Sequence, residues 1–206
     1  NLEHVLEEVR TLAASGYKEV VLTGIHLSSY GIDTGESLLE LIQKVHEIDG
    51  IKRIRLGSLE PRIITEEFAS SIAALPKMCP HFHLSLQSGC NATLKRMNRR
   101  YSAEEYMEKC DLLRKYFHNP ALTTDVIVGF PGETQEEFAE SMDFVDRVNF
   151  YETHISNIQK SRNESSRNAG SGSGGIKSER SAKMIELGHR NRKFMKKNSL
   201  ERHRKC

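Results

Sequence analysis

The sequence predicts an α/β protein built as an open, partial β/α barrel. Three observations carry that reading. Helical and strand periods alternate five times, polar residues stand just past the C-terminal end of nearly every strand, and there is no GxGxxG or GxxxxGK[ST] loop. Such alternation sets parallel strands between crossover helices. A doubly wound sheet gathers its ligand at one glycine-rich loop, whereas polar groups spread over several strand ends suit a barrel mouth. Five strands do not close a ring of eight, so the barrel is open.

The elements follow in order. "LEHVLEEVRTLAAS" puts Leu2, Val5, Leu6, Val9, Leu12 and Ala13 on one helical face and stops at Gly16. "KEVVLTG" reads as a short buried strand, and "SLLELIQKVHEI" repeats the helical period through Leu38, Leu41, Ile42 and Val45. "IKRIRLGS" is the second strand. "TEEFASSIAAL" is a helix with Thr65 as its N-cap. "HFHLSLQSG" is a third strand, and "ATLKRM" and "SAEEYMEKCDLLRKYF" are helices, the second with Ser102 and Glu105 in capping-box spacing. "ALTTDVIVGF", "TQEEFAESMDFVDRV" and "FYETHIS" complete the series as strand, helix and strand.

Composition narrows the class. With 206 residues, 37% of them hydrophobic and 28% charged, the chain has the material for one core. There is neither an apolar run long enough to span a membrane nor a signal-peptide pattern at the start, which predicts a cytoplasmic protein with no membrane partner. Cys79, Cys90, Cys110 and Cys206 have no CxxC or other close ligand spacing, so neither a disulfide framework nor a closed zinc site is expected.

The net charge of +2 conceals an asymmetry. Residues 1–159 hold 16 Lys and Arg against 24 Asp and Glu, and residues 160–206 hold 14 against 4, so a body of −8 carries a tail of +10. A basic segment of this kind suits phosphates. Between body and tail, "SRNESSRNAGSGSGGIKSERS" has almost nothing to bury and reads as a flexible linker. The predicted organisation is a core of residues 1–160, a Ser/Gly-rich linker of 161–180 and a basic helical segment of 181–206.

"EVVLTGIHLSSYG", "IRLGSLEPRIITEEF", "HFHLSLQSGCNATLKRMNRRYSAEEY", "TTDVIVGFPGETQEEF" and "FYETHI", in this order and spacing, resemble the radical S-adenosylmethionine (SAM) methylthiotransferases. The likeness covers about residues 1–155 and resumes at "SERSAKMIELG". It implies a partial barrel of the radical SAM type and an enzyme that adds a methylthio group to a tRNA adenosine derivative or to a ribosomal-protein aspartate. "TGIHLSSYG" is similar to the subgroup acting at C2 of N6-threonylcarbamoyladenosine beside the tRNA anticodon. The isopentenyladenosine and ribosomal-protein subgroups remain alternatives, as does a non-radical β/α-barrel enzyme using Glu60 and Asp125 for proton transfer.

The resemblance also implies SAM as cofactor, with [4Fe–4S] clusters in a full-length parent and tRNA as partner; the sulfur donor is open. The family's CxxxCxxC loop does not occur in these 206 residues. The chain is therefore expected to lack the first strand and the cluster loop, and to be inactive alone, with no catalytic or metal-ligating residues of its own. Chemistry in such enzymes belongs to the cofactor, and the protein holds the reactants in line.

The same resemblance puts cofactor-binding positions at the strand ends. Thr23 and Gly24, with His26 nearby, face the methionine end of SAM. Ser58 and Glu60 end the second strand, where a carboxylate suits ribose hydroxyls or an amine. Ser85 and Gln87 share one side of the third strand, and Gly89 permits close approach. Arg99 suits the SAM carboxylate or an RNA phosphate. Ile127 and Gly129 offer a strand edge to adenine, and Asp125 needs a partner that is either structural or the ligand.

Overall fold

Helix α1 (Leu2–Ala14) turns Leu6 and Val9 inward, as its apolar spacing predicts. The computed structural model describes residues 2–24, 27–31, 35–157 and 174–203, without the side chains of 198–203. The chain divides into two compact units, Asn1–Leu84 with Lys109–Pro120, and Ser85–Glu108 with Ala121–Cys206.

In the first unit, strands β1 (Glu19–Leu22) and β2 (Arg53–Leu56) pair in parallel, Glu19 opposite Arg53 through Leu22 opposite Leu56. Between them lie a single 3-10 turn (Leu27–Ser29) and α2 (Leu38–Glu47), whose N-terminus is capped by the Ser37 hydroxyl accepting from the Glu40 amide at 3.0 Å. Lys77 closes the other end of α2 by donating to the carbonyls of His46 and Ile48 at 2.6 and 2.8 Å. Helix α3 (Glu66–Ala73) starts at Thr65, whose hydroxyl accepts from the Phe68 amide at 3.1 Å, so the predicted cap forms.

Strand β3 is short, His81–His83, and isolated parallel bridges join Ile54 to Met78 and Leu59 to Leu84. Ile42, Ile54, Leu59, Ile72 and Phe82 are fully buried, and Phe82 meets Phe117 edge-on at 4.8 Å between centroids. The sequence reads β1 as buried, but in the structure it alternates, and Val21 is half exposed. Among the described residues β1 pairs only with β2, and only Val20 and Leu22 turn to the core.

The second unit holds α4 (Asn91–Arg96), the start of α5 (Ala103–Tyr116), β4 (Ala121–Val128), α6 (Gln135–Val148), β5 (Glu152–Asn157) and α7 (Gly174–His203). Strands β4 and β5 are parallel, Thr123 opposite Glu152 through Val128 opposite Asn157. The Ser102 capping box forms as predicted: the Glu105 amide donates to the Ser102 hydroxyl, and the Ser102 amide to the Glu105 carboxylate.

Helix α6 opens with a second such box, Thr134 with Glu137. Arg96 grips the Glu137 carboxylate with two bonds of 2.9 and 2.5 Å, and this guanidinium holds the carboxyl below its usual range. Helix α7 buries Met184, Leu187 and Asn191 and begins at Gly174, earlier than the expected boundary at 181. Residues 158–173, most of the expected linker, lie outside the described residues.

Candidate functional site

The residues that sequence reasoning singles out fall into two groups, one in each unit. In the first unit they follow β1 and β2. Thr23, Gly24 and Ser58 are exposed and Glu60 is half exposed. The Gly57 amide donates to the Leu22 carbonyl at 2.7 Å, and a Cβ on Gly57 would stand 2.8 Å from the Thr23 hydroxyl. Thr23 and Gly57 are thus packed side by side just past the strand ends, and Ser58 is next in the chain.

The loop after β1 is tied back to this corner by its serines. The Ser28 hydroxyl accepts from the Glu60 amide at 2.9 Å, and the Ser29 hydroxyl accepts from Arg62 at 3.4 Å. Arg62 also pairs with the Glu60 carboxylate at 2.7 Å, so part of that group's charge is already answered. At the loop's far end Tyr30 donates to Glu36 at 3.0 Å, and burial together with that carboxylate pushes the phenol up to about 12. His26 lies outside the described residues.

The second group lines the strand ends of the other unit. Gln87 is joined to β4 by backbone bonds on both sides: its amide donates to the Asp125 carbonyl at 2.9 Å, and its carbonyl accepts from the Ile127 amide at 2.9 Å. Ser85 and Gln87 alternate with the buried Leu84 and Leu86, as the period of two predicts, and Asp125 and Ile127 alternate with Val126 and Val128 in the same way. Gln87 has φ of 72°, a left-handed backbone that a non-glycine residue adopts only where its surroundings impose it. An amide, a carboxylate and an aliphatic side chain stand here together, all partly open, so polar groups able to bond a ligand lie beside an apolar surface.

Buried polar bonds fix this strand end from behind. The Thr124 hydroxyl accepts from the Leu86 amide at 3.1 Å and from the Tyr106 hydroxyl at 3.3 Å. Tyr101, in the loop after α4, directs its hydroxyl at the carbonyls of Ser85 and Leu86 at 2.8 and 2.9 Å. Arg99, two residues earlier, is exposed. Gly129 ends β4 with φ of 68°, and its amide donates to Glu133 at 2.8 Å.

The cysteines behave differently. Cys79, Cys90 and Cys110 are buried, burial raises all three thiols, and Cys110 reaches about 12. No group of three or more His, Cys, Asp or Glu among the described residues could hold a metal. These thiols do not fit an iron–sulfur cluster.

The sequence pattern of the radical SAM superfamily matches residues 1–145. The chain belongs to that superfamily. This radical SAM chain is 45% identical over 150 residues to a tRNA-2-methylthio-N(6)-dimethylallyladenosine synthase of Thermoanaerobacter pseudethanolicus, covering 72% of its own length and 32% of the relative's. It is 40% identical over 154 residues to the threonylcarbamoyladenosine tRNA methylthiotransferase MtaB of Thermotoga maritima, covering 75% and 36%. The chain spans about a third of the length of these curated relatives.

Solved structures agree on the fold. Coproporphyrinogen III oxidase (HemN) from Escherichia coli superposes with a TM-score of 0.66 at 14% identity, over 92% of this chain and 46% of that one. The radical SAM methyltransferase TsrM from Kitasatospora setae gives 0.61 at 22%, over 76% and 31%. The expected β/α architecture of the radical SAM type therefore holds. No helix among the described residues is long and apolar enough to cross a membrane.

Sequence reasoning missed Ser28 and Arg180 as residues that shape these strand ends. Ser28 lies inside the quoted motif "EVVLTGIHLSSYG" and Arg180 inside "SERSAKMIELG", so membership of the resembling segments was the available signal.

Proposed function

We propose that this chain is the SAM-holding core of a tRNA methylthiotransferase. The observation that carries the reading is the identity of 45% and 40% to two enzymes named for that reaction, along the segments that supply the strand ends. Gln87, Asp125, Ile127 and Gly129 would hold the nucleoside of SAM, with Ser85 beside them. In the first unit Thr23, Gly24, Ser58 and Glu60, together with His26, are proposed from the resemblance as further cofactor-binding positions, and Arg99 for a carboxylate or phosphate. SAM, when bound, supplies a methyl group and an adenosyl moiety; the chain's own residues orient it.

For the substrate we infer N6-threonylcarbamoyladenosine in tRNA, from the loop "TGIHLSSYG". A second reading has its own support, since the relative at 45% identity is named for the dimethylallyl substrate and the threonylcarbamoyl enzyme stands at 40%. Mass spectrometry of tRNA nucleosides from cells lacking the gene separates the two. Loss of 2-methylthio-N6-threonylcarbamoyladenosine with accumulation of its unthiolated precursor supports the first. Loss of the dimethylallyl product instead overturns it.

A further inference from the structure

The geometry points to Arg180, on α7, as a positioning residue for the SAM-binding end of β4, acting through Glu133. The inference rests on the proposed role of that strand end. Glu133 closes the Pro131–Gly132 turn that leads from β4 towards α6, its amide donating to the Phe130 carbonyl at 2.9 Å, and its side chain is only 1% exposed. A carboxylate this deeply buried requires compensation. It receives two bonds, from the Gly129 amide at 2.8 Å and from Arg180 Nη1 at 2.7 Å. The same guanidinium nitrogen donates to the Glu133 carbonyl at 3.0 Å, the guanidinium lies over the Phe138 ring at 5.2 Å, and the Arg180 side chain is 9% exposed.

The carboxylate thus bridges a guanidinium on α7 and the amide of Gly129, the residue just after β4. Gly129 sits in the left-handed region, which glycine adopts without strain. Helix α7 packs closely on it, because a Cβ on Gly129 would stand 2.7 Å from Cγ of Lys177, one helical turn before Arg180. The first turns of α7 therefore hold the loop from Gly129 to Glu133 by an ion pair and by packing. Arg180 belongs by sequence to the basic tail, yet its charge is spent inside the protein and is not available to phosphate.

A purely structural ion pair would stabilise α7 without a specific effect on ligand. The two roles separate when Arg180→Gln is compared with Leu187→Ala, which removes a buried apolar contact of the same helix and leaves Glu133 untouched. Two quantities are measured on the 206-residue chain, well below the unfolding temperature of each variant: backbone amide exchange across residues 128–133, and affinity for SAM. The expected result is that Arg180→Gln speeds exchange in that loop and weakens SAM binding by about tenfold or more, while Leu187→Ala changes each by less than about twofold. Arg180→Lys should fall between them, and it carries the test if the glutamine variant does not fold.

Equal effects of Arg180→Gln and Leu187→Ala, or none from either, overturn the inference. Ile127→Asn tests the underlying site by itself. If Ile127→Asn leaves SAM affinity unchanged, the proposed site fails, and amide exchange alone then decides the Arg180 lock by the same comparison. If Ile127→Asn weakens binding and Arg180→Gln does not, the site stands and the lock is rejected.

Discussion

A Cβ on Gly89 would stand 2.5 Å from the Cβ of Phe144, so these two residues set how closely the chain after Leu86 approaches α6. The Gly89 amide donates to the Ser141 hydroxyl at 2.9 Å in the same buried contact. Glycine is used here for space, since the nearest obstacle is another side chain's root and cannot swing away. The sequence suggested that Gly89 lets a ligand come close; what comes close is the helix.

Gly89→Ala should therefore push α6 outward and destabilise the fold by about 1–3 kcal/mol. Denaturant unfolding reads this directly as a lower midpoint at an unchanged slope. A wild-type midpoint would mean that α6 can withdraw without loss, and that the contact does not hold the strand end.

Thr124 is the polar hinge of the same unit, accepting from the Leu86 amide and the Tyr106 hydroxyl with none of its surface exposed. Thr124→Val keeps the shape and takes an acceptor away from both the Leu86 amide and the Tyr106 hydroxyl, which should destabilise the fold by about 1–3 kcal/mol or more. Adding Tyr106→Phe removes one of those donors, so the double variant should be more stable than the sum of the single losses implies. Strict additivity would show that the two hydroxyls do not share a bond.

Much of this was legible in the sequence. The caps at Thr65 and Ser102 follow from spacing of three to four residues, and the alternation of Ser85 and Gln87 with leucines follows from a period of two. Local rules decide both. The bonds from Ser28 to the Glu60 amide, Tyr101 to the Ser85 carbonyl and Arg180 to Glu133 span 32, 16 and 47 residues. No periodicity encodes such pairings, because they depend on where the fold returns the chain. Arg180 also looked like its solvated neighbours: a charge run gives no sign of which member is buried.

The buried thiol of Cys110 makes stability fall in alkali. Burial lifts it to about 12, against roughly 8.5 in an unfolded chain. Its contribution is complete below the unfolded value and is lost as the pH rises from there towards the folded one, at up to about 1.4 kcal/mol per pH unit. Tyr30 adds a loss of the same sign above its ordinary range. Urea unfolding at pH 8, 9 and 10 should show Cys110→Ala with a shallower decline than the parent, by about one proton's worth. Parallel declines would mean that the native thiol ionises near its ordinary pH.

The lysines at the far end of α7 test whether tRNA is a partner, as proposed. Met184, Leu187 and Asn191 face the core, while Lys193, Lys196 and Lys197 are exposed, three and four residues apart and so on one side of the helix. If that side meets an RNA backbone, each contact releases a counterion, and the log–log dependence of affinity on salt steepens by roughly 0.7–0.9 per phosphate. Replacing all three lysines with glutamine should then flatten the slope by about two units, with a loss that is uniform across tRNA sequences. Arg180→Gln should leave the slope alone, because that charge is already paired with Glu133. An unchanged slope in the triple variant would show that these lysines form a solvated face and that tRNA is held elsewhere.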